Sequence, residues 1–266
     1  MSEMKQYSYP TVAQSIGIVG IVILSMIVFL PITLFELIKG KEIATFIYYL
    51  FALGAPLLII HNARTKRTGQ SSYNLKISNF RVILLLSLIA ISIDIGVTIP
   101  VTNIIPMPDM WEKIILELSE KTGIFSFLMI VIAAPILEEF IFRGVILDGF
   151  LRNYSPFKSI LMSSLLFGII HLNPWQFIAA TITGFFSGWV YYRTRKLTLS
   201  IIIHFVNNLF AFIMMKFTDP QEMIDSTLLE FYGGMIGLVL SIVGGIIIAT
   251  CCIYLLNKEL NKVQSN

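Results

Sequence analysis

Between Lys5 and Glu36 the chain carries no charged residue, and long apolar runs of this kind return repeatedly as far as the C-terminus. A helix needs about 20 apolar residues to cross a hydrocarbon layer about 30 Å thick. Inside such a layer every backbone N–H and C=O must find its partner within the protein, which restricts spanning segments to helices or closed barrels. The chain has 266 residues, 56% of them hydrophobic and 13% charged, with a mean hydropathy of +0.82, and this composition lies outside that of soluble domains. The expected fold is therefore all-α: a polytopic membrane helical bundle of about eight transmembrane helices. Apolar windows and breakers put them near 12–35, 43–60, 80–100, 124–151, 157–172, 175–192, 197–215 and 231–256.

The fifth and sixth runs are short and meet at Asn173-Pro174, where proline's missing N–H and its restriction of the preceding residue favour a turn. The first run follows a single lysine and has no small-residue cleavage site after it, so it reads as an uncleaved first span. The loops 61–79 and 101–123 are too short for a second domain, and the whole of 1–266 reads as one transmembrane domain. Within the second loop, Met110 to Leu118 has apolar residues at helical spacing and is expected to lie along the outer interface.

Basic residues accumulate on the cytoplasmic side of membrane proteins. With eight spans and a cytoplasmic N-terminus, all but five of the 19 Lys and Arg residues fall inside; the five are Lys39, Lys41, Lys113, Lys121 and Lys216. Acids gather on the other side, at Asp109, Glu112, Glu117 and Glu120 and again at Asp219, Glu222, Asp225 and Glu230. Both termini are thus expected in the cytoplasm of a cell whose membrane holds the chain. The net charge of +3 reports this topology, and no nucleic-acid partner is expected. Cys251 and Cys252 are adjacent in the last apolar run, so they offer neither a disulfide framework nor a spaced metal site.

Glu138 and Glu139 stand out because the residues from Phe125 to Leu137 before them are uncharged and almost entirely apolar, and Arg143 follows one turn later. Ionisable groups at membrane depth cost about 2.5–3.5 kcal/mol on insertion scales and mark functional pathways when they occur. Residues four apart share a helix face, so Glu139 can pair with Arg143. Glu138, about 100° away around the axis, is expected to point into the bundle toward His171. A carboxylate without a counter-charge accepts protons nearer neutrality than a paired one, so the two acids can take different roles. His171 follows Phe167 by four residues, and His204 precedes Asn208 by four.

The set Glu138-Glu139-x-x-x-Arg143, Phe167-x-x-x-His171 and His204-x-x-x-Asn208, in this order on three hydrophobic segments, resembles the CPBP (CAAX protease and bacteriocin-processing, or Abi) family of intramembrane endopeptidases. The resemblance covers a catalytic core region at 124–212. It implies hydrolysis of a peptide bond in a membrane-associated or prenylated peptide. It further implies that Glu138 and His171 hold and deprotonate the attacking water, that His204 and Asn208 stabilise the oxyanion, and that Glu139, Arg143 and Phe167 support them. No cofactor is firmly implied. A zinc ion on Glu138, His171 and His204 stays open beside a glutamate-activated water, although no His-Glu-x-x-His helix is present.

Two other classes stand against this reading. A non-catalytic immunity or scaffold protein could bind a peptide in the same cavity, but degenerate motifs would be expected there and none of these positions is lost. A transporter using Glu138 and His171 as a proton relay would be expected to show a duplicated half. The short chain has a bacterial style, which favours a bacteriocin, pheromone or similar peptide as substrate. Asp94 is a polar intruder in the third run without an obvious partner, and His61 is expected at an interface. Gly184, Gly188 and the Gly233-Gly234-x-x-Gly237 group are expected to permit close helix approach.

Overall fold

The computed structural model describes residues 9–108, 110–113, 116, 122–219, 221 and 226–265. Among these, eight long helical runs appear in the expected order, and no strand occurs. They are α1 (Val12–Ile38), α2 (Lys41–Thr68), α3 (Phe80–Thr102), α4 (Ile124–Asn153), α5 (Pro156–Ile169), α6 (Pro174–Thr194), α7 (Leu197–Phe217) and α8 (Met235–Ser265). Six of them, α1 to α4 with α7 and α8, are long and apolar enough to cross a membrane. α5 is apolar but has only 14 residues, and α6 has 21 without joining those six. The chain is an all-α polytopic membrane bundle.

Local chemistry explains most of the boundaries. Thr11 and Gln14 form a capping box at the start of α1, which satisfies two N–H groups that a helix start leaves open. Asn79 accepts from the Val82 N–H at 2.9 Å to begin α3, and Asn173 does the same for Gln176 at 2.8 Å, with Pro174 in the first turn of α6. α2 runs on to Thr68, well past the expected end at residue 60, because His61, Arg64 and Thr68 find partners around the 69–79 loop rather than in lipid headgroups. Arg64 donates to the Gln70 and Ser72 carbonyls and lies over the Tyr73 ring. His61 is accordingly partly buried, its Nδ1 3.0 Å from the Tyr73 hydroxyl.

The helices alternate between two ends. At one end Arg67 lies over Tyr9, Arg152 donates to Gln70, Lys196 to Ser78 and Arg193 to Asn257, and Arg81 pairs with Glu259. The start of α1 and the ends of α2, α4, α6 and α8 meet there, with the starts of α3 and α7. At the other end the Gly123 N–H donates to Glu42, and Trp175 donates to the Ile105 carbonyl. Arg64, Arg67, Arg81, Arg152, Arg193 and Lys196, assigned to one side by sequence, share this end, whereas Arg143, assigned with them, is buried beside Glu139, and Lys5 lies outside the described residues. Of the 110–118 segment, 114, 115, 117 and 118 lie outside the described residues, as do Asp109, Glu117, Glu120, Glu222 and Asp225; Trp111 packs edge-on against Trp175.

Two apolar clusters flank the centre. One joins α1, α2, α4 and α5 through Val22, Leu53, Ile60, Phe142, Phe150 and Phe167; the other joins α3, α6, α7 and α8 through Leu86, Ile89, Val190, Leu199, Ile203 and Leu256. Lipid is as apolar as these side chains, so contact geometry and polar links hold such helices together. Gly233 and Gly234 have positive φ in a turn and open space around them, and Gly237 meets the Tyr232 carbonyl of that same turn, so this group brings no second helix close. Close approach occurs where α3 crosses α8: a Cβ on Gly245 would lie 2.8 Å from the Ser92 carbonyl and 2.9 Å from Gly96 Cα.

α4 is the irregular element. A six-residue α-helical stretch, Ala134–Glu139, is set between two π-helical ones, Leu128–Ala133 and Phe140–Leu147. Such i→i+5 widenings change the rotation per residue and recur at functional sites. Both glutamates lie in the stretch between them.

Candidate active site

Glu138 and Glu139 turn to different partners, as their angular separation requires. Glu139 is completely buried, and its Oε1 accepts from Arg143 Nη1 at 2.9 Å and lies 3.1 Å from His204 Nδ1. The expected i,i+4 ion pair is therefore present, and it extends to a histidine 65 residues away. A carboxylate paired with guanidinium is an acceptor, so His204 must carry its proton on Nδ1 to bond it. That leaves Nε2 facing Glu138, whose Oε2 is 3.8 Å away.

Glu138 does not turn to His171 as expected. Its Oε1 accepts a 2.5 Å hydrogen bond from the hydroxyl of Tyr49 on α2. Its Oε2 is buried and has no hydrogen-bond partner among the described residues, a state shared by Glu139 Oε2 and by Arg143 Nε and Nη2. Four unpartnered polar atoms in one buried space are unusual in a folded protein, where such groups are normally satisfied.

Phe167 organises the other side. Its ring meets His171 edge-on at 5.2 Å between centroids and His204 edge-on at 5.5 Å, and the Arg143 guanidinium lies over it at 4.6 Å. One aromatic side chain thus touches both imidazoles and the cation. His171 lies just beyond the end of α5, which stops at Ile169, and its Nδ1 bonds the Phe167 carbonyl at 3.0 Å. Leu172, at φ 58, then reverses the chain into α6. The Phe167–His171 spacing places the ring in the turn after the helix instead of on its last turn.

His204 lies level with the glutamates. Asn208 faces the same helix, α4, but farther along it: its Nδ2 donates to the Ile130 carbonyl at 2.8 Å. Of the residues singled out by sequence, Glu138, Glu139, Arg143, Phe167 and His204 are brought together directly, His171 joins them through Phe167, and Asn208 joins α7 to the same helix. Asp94 belongs elsewhere. With the Asn207 amide nitrogen turned toward it, both carboxylate oxygens accept from that group at 2.7 and 2.8 Å, with Thr183 at 3.2 Å. Ala90, Ile93, Phe186 and Ile203 surround this second polar cluster.

Sequence reasoning missed Tyr49 and Asn207. Tyr49 lies 89 residues from its partner with no local motif around it. Asn207 adjoins Asn208, and a second amide beside a motif residue in an apolar helix was a usable signal. As for metal, no group of three or more His, Cys, Asp or Glu side chains among the described residues is placed to hold an ion. The donors Glu138, His171 and His204 do not form a ready zinc cage.

Comparison with known proteins finds a likeness for one stretch of the chain. Residues 120–210 match the family described as type II CAAX prenyl endopeptidase Rce1-like. That Rce1-like stretch holds both glutamates, Arg143, Phe167, both histidines and Asn208, and it leaves out Tyr49 and Asp94. Over 90 residues, 33% of this chain, it is 36% identical to YdiL of Bacillus subtilis (strain 168), whose name describes a membrane peptidase; the match covers 37% of YdiL. Over 124 residues, 44% of this chain, it is 32% identical to the membrane-embedded CAAX protease MroQ of Staphylococcus aureus (strain USA300), with 48% of MroQ covered. The chain thus spans less than half the length of these relatives. No solved structure matches.

Proposed function

We propose that the chain is an intramembrane endopeptidase that hydrolyses a peptide bond of a membrane-associated or prenylated peptide with a water activated by Glu138. The observation that carries this reading is the disposition of Glu138: one oxygen anchored by Tyr49, the other buried without a partner and facing His204 Nε2 at 3.8 Å. A gap of that length is too long for a direct hydrogen bond and suits a water held by both groups.

In this reading Glu138 takes a proton from the water as its oxygen attacks the carbonyl carbon, and later returns that proton to the departing amine nitrogen. His204, fixed through Nδ1 by Glu139 and Arg143, and His171, fixed through Nδ1 by the Phe167 carbonyl, turn their Nε2 lone pairs to the water and accept its hydrogen bonds. Asn208 uses one N–H on Ile130, and its second N–H is the donor to the tetrahedral oxyanion. Preorganised donors of this kind commonly supply the largest part of catalysis. Zinc on Glu138, His171 and His204 is the competing assignment for the same side chains, and a chelator arm addresses it.

The experiment uses protein in lipid vesicles and two fluorogenic probes, a prenylated peptide and an unprenylated hydrophobic peptide. Glu138→Gln and His204→Ala should abolish cleavage, while Asn208→Ala should lower kcat about 10²- to 10³-fold, as removal of an oxyanion donor does. Cleavage retained in Glu138→Gln overturns the assignment, and activity lost to chelator and restored by zinc moves it to a metal mechanism. Comparison of the two peptides identifies the substrate class.

A further inference from the structure

Tyr49 lies on the buried face of α2, one turn before Leu53 and in line with Pro56 and Ile60, which pack against α1 and α4. A residue on that stripe would serve packing equally well as phenylalanine. Its hydroxyl, however, is directed at Glu138 Oε1 at 2.5 Å, at the short end of the range for O–H donors on carboxylates. A carboxylate has two oxygens, and it can rotate about its last bond unless something holds one of them. No other protein group holds Glu138 among the described residues: His204 stands at 3.8 Å, and Arg143 is committed to Glu139.

We propose that Tyr49 is a positioning residue for Glu138, contributed by a helix that lies outside the 120–210 stretch. By fixing Oε1 it leaves Oε2 as the free oxygen and aims it at the space in front of His204 Nε2. The site is then assembled from three helices and one turn: α2 orients the base, α4 carries it, α7 brings one imidazole and the turn after α5 brings the other. This inference rests on the peptidase reading, but its central contact does not.

The test is Tyr49→Phe, which keeps the ring and removes only the donor. Thermal unfolding in detergent should shift by no more than a few degrees. With whichever of the two peptides the wild type cleaves, kcat should fall about 10- to 100-fold, the loss of one hydrogen bond to a charged group, while KM stays within about twofold. An unchanged kcat, or a raised KM with kcat intact, overturns the proposal. Infrared spectra provide a second reading that needs no turnover. The Glu138 carboxylate stretch, identified by its loss in Glu138→Gln, should move in Tyr49→Phe. If neither peptide is cleaved by wild type, the peptidase reading fails, and the infrared band still decides whether Tyr49 holds Glu138; a band that stays in place overturns the proposal in either case.

Discussion

At the scale of single residues, the site depends on what is small as much as on what is charged. A Cβ added to Gly184 would lie 3.0 Å from Arg143 Nη2 and 3.2 Å from Phe167 Cδ1, so this glycine makes the room in which the guanidinium lies over the ring. Gly184→Ala should therefore displace Arg143 from Glu139 or shift α6. The expected cost is about 1–3 kcal/mol, the usual penalty of overpacking, and thermal unfolding in detergent measures it; no loss would show that the neighbours give way freely. Much of this was legible in the sequence. The four-residue spacing of Glu139 and Arg143 foretold their pairing, and the glycine pair on α6 foretold close packing. The orientation of Glu138 was not legible. An angular argument assumes 100° per residue, and α4 departs from that rotation on both sides of the glutamates.

At the scale of elements, links between distant helices replace the hydrophobic effect that lipid removes. α3 meets α7 through Asp94 and Asn207, and α4 meets α7 at Glu139–His204 and at Ile130–Asn208. Side-chain hydrogen bonds between membrane helices average about 0.6 kcal/mol and reach about 1.7. A double-mutant cycle on Asp94→Ala and Asn207→Ala should give a coupling in that range toward its upper end, since Asn207 bonds both carboxylate oxygens. A coupling indistinguishable from zero would place the two groups apart. Helix positions followed from apolar length, and their ends came within a few residues except at α8, which runs to Ser265 against an expected 256, and at α2. There the governing contacts are made to the 69–79 loop, which no local signal in α2 reveals. Partners 65 to 89 residues apart are likewise invisible to spacing rules.

For the molecule as a whole, the gathering of Arg64, Arg67, Arg81, Arg152, Arg193 and Lys196 at one end provides a test of orientation. The positive-inside tendency assigns that end to the cytoplasm. Cysteines introduced at Lys158, beside this end, and at Leu229, beyond α7, in a Cys251→Ser, Cys252→Ser background should react with a membrane-impermeant reagent from opposite sides of intact cells, Leu229→Cys from outside. Reaction of Lys158→Cys from outside would invert the arrangement. The sequence foresaw this segregation because charge position is set by the membrane and needs no knowledge of packing.

The brevity of α5 carries a consequence for the surrounding lipid. Fourteen residues rise about 21 Å, some 9 Å less than a typical acyl layer, and Ile169 and Leu172 are exposed at the end where His171 turns inward. Bilayers adapt to a short hydrophobic segment by thinning, at a modest cost for each ångström of mismatch. The leaflet beside α5 is therefore expected to dip, carrying headgroups and their hydration toward the histidine turn. On the peptidase reading, turnover measured in vesicles of one headgroup and graded chain length should accordingly rise as the lipids shorten, making membrane thickness itself a control on access to His171 and its neighbours.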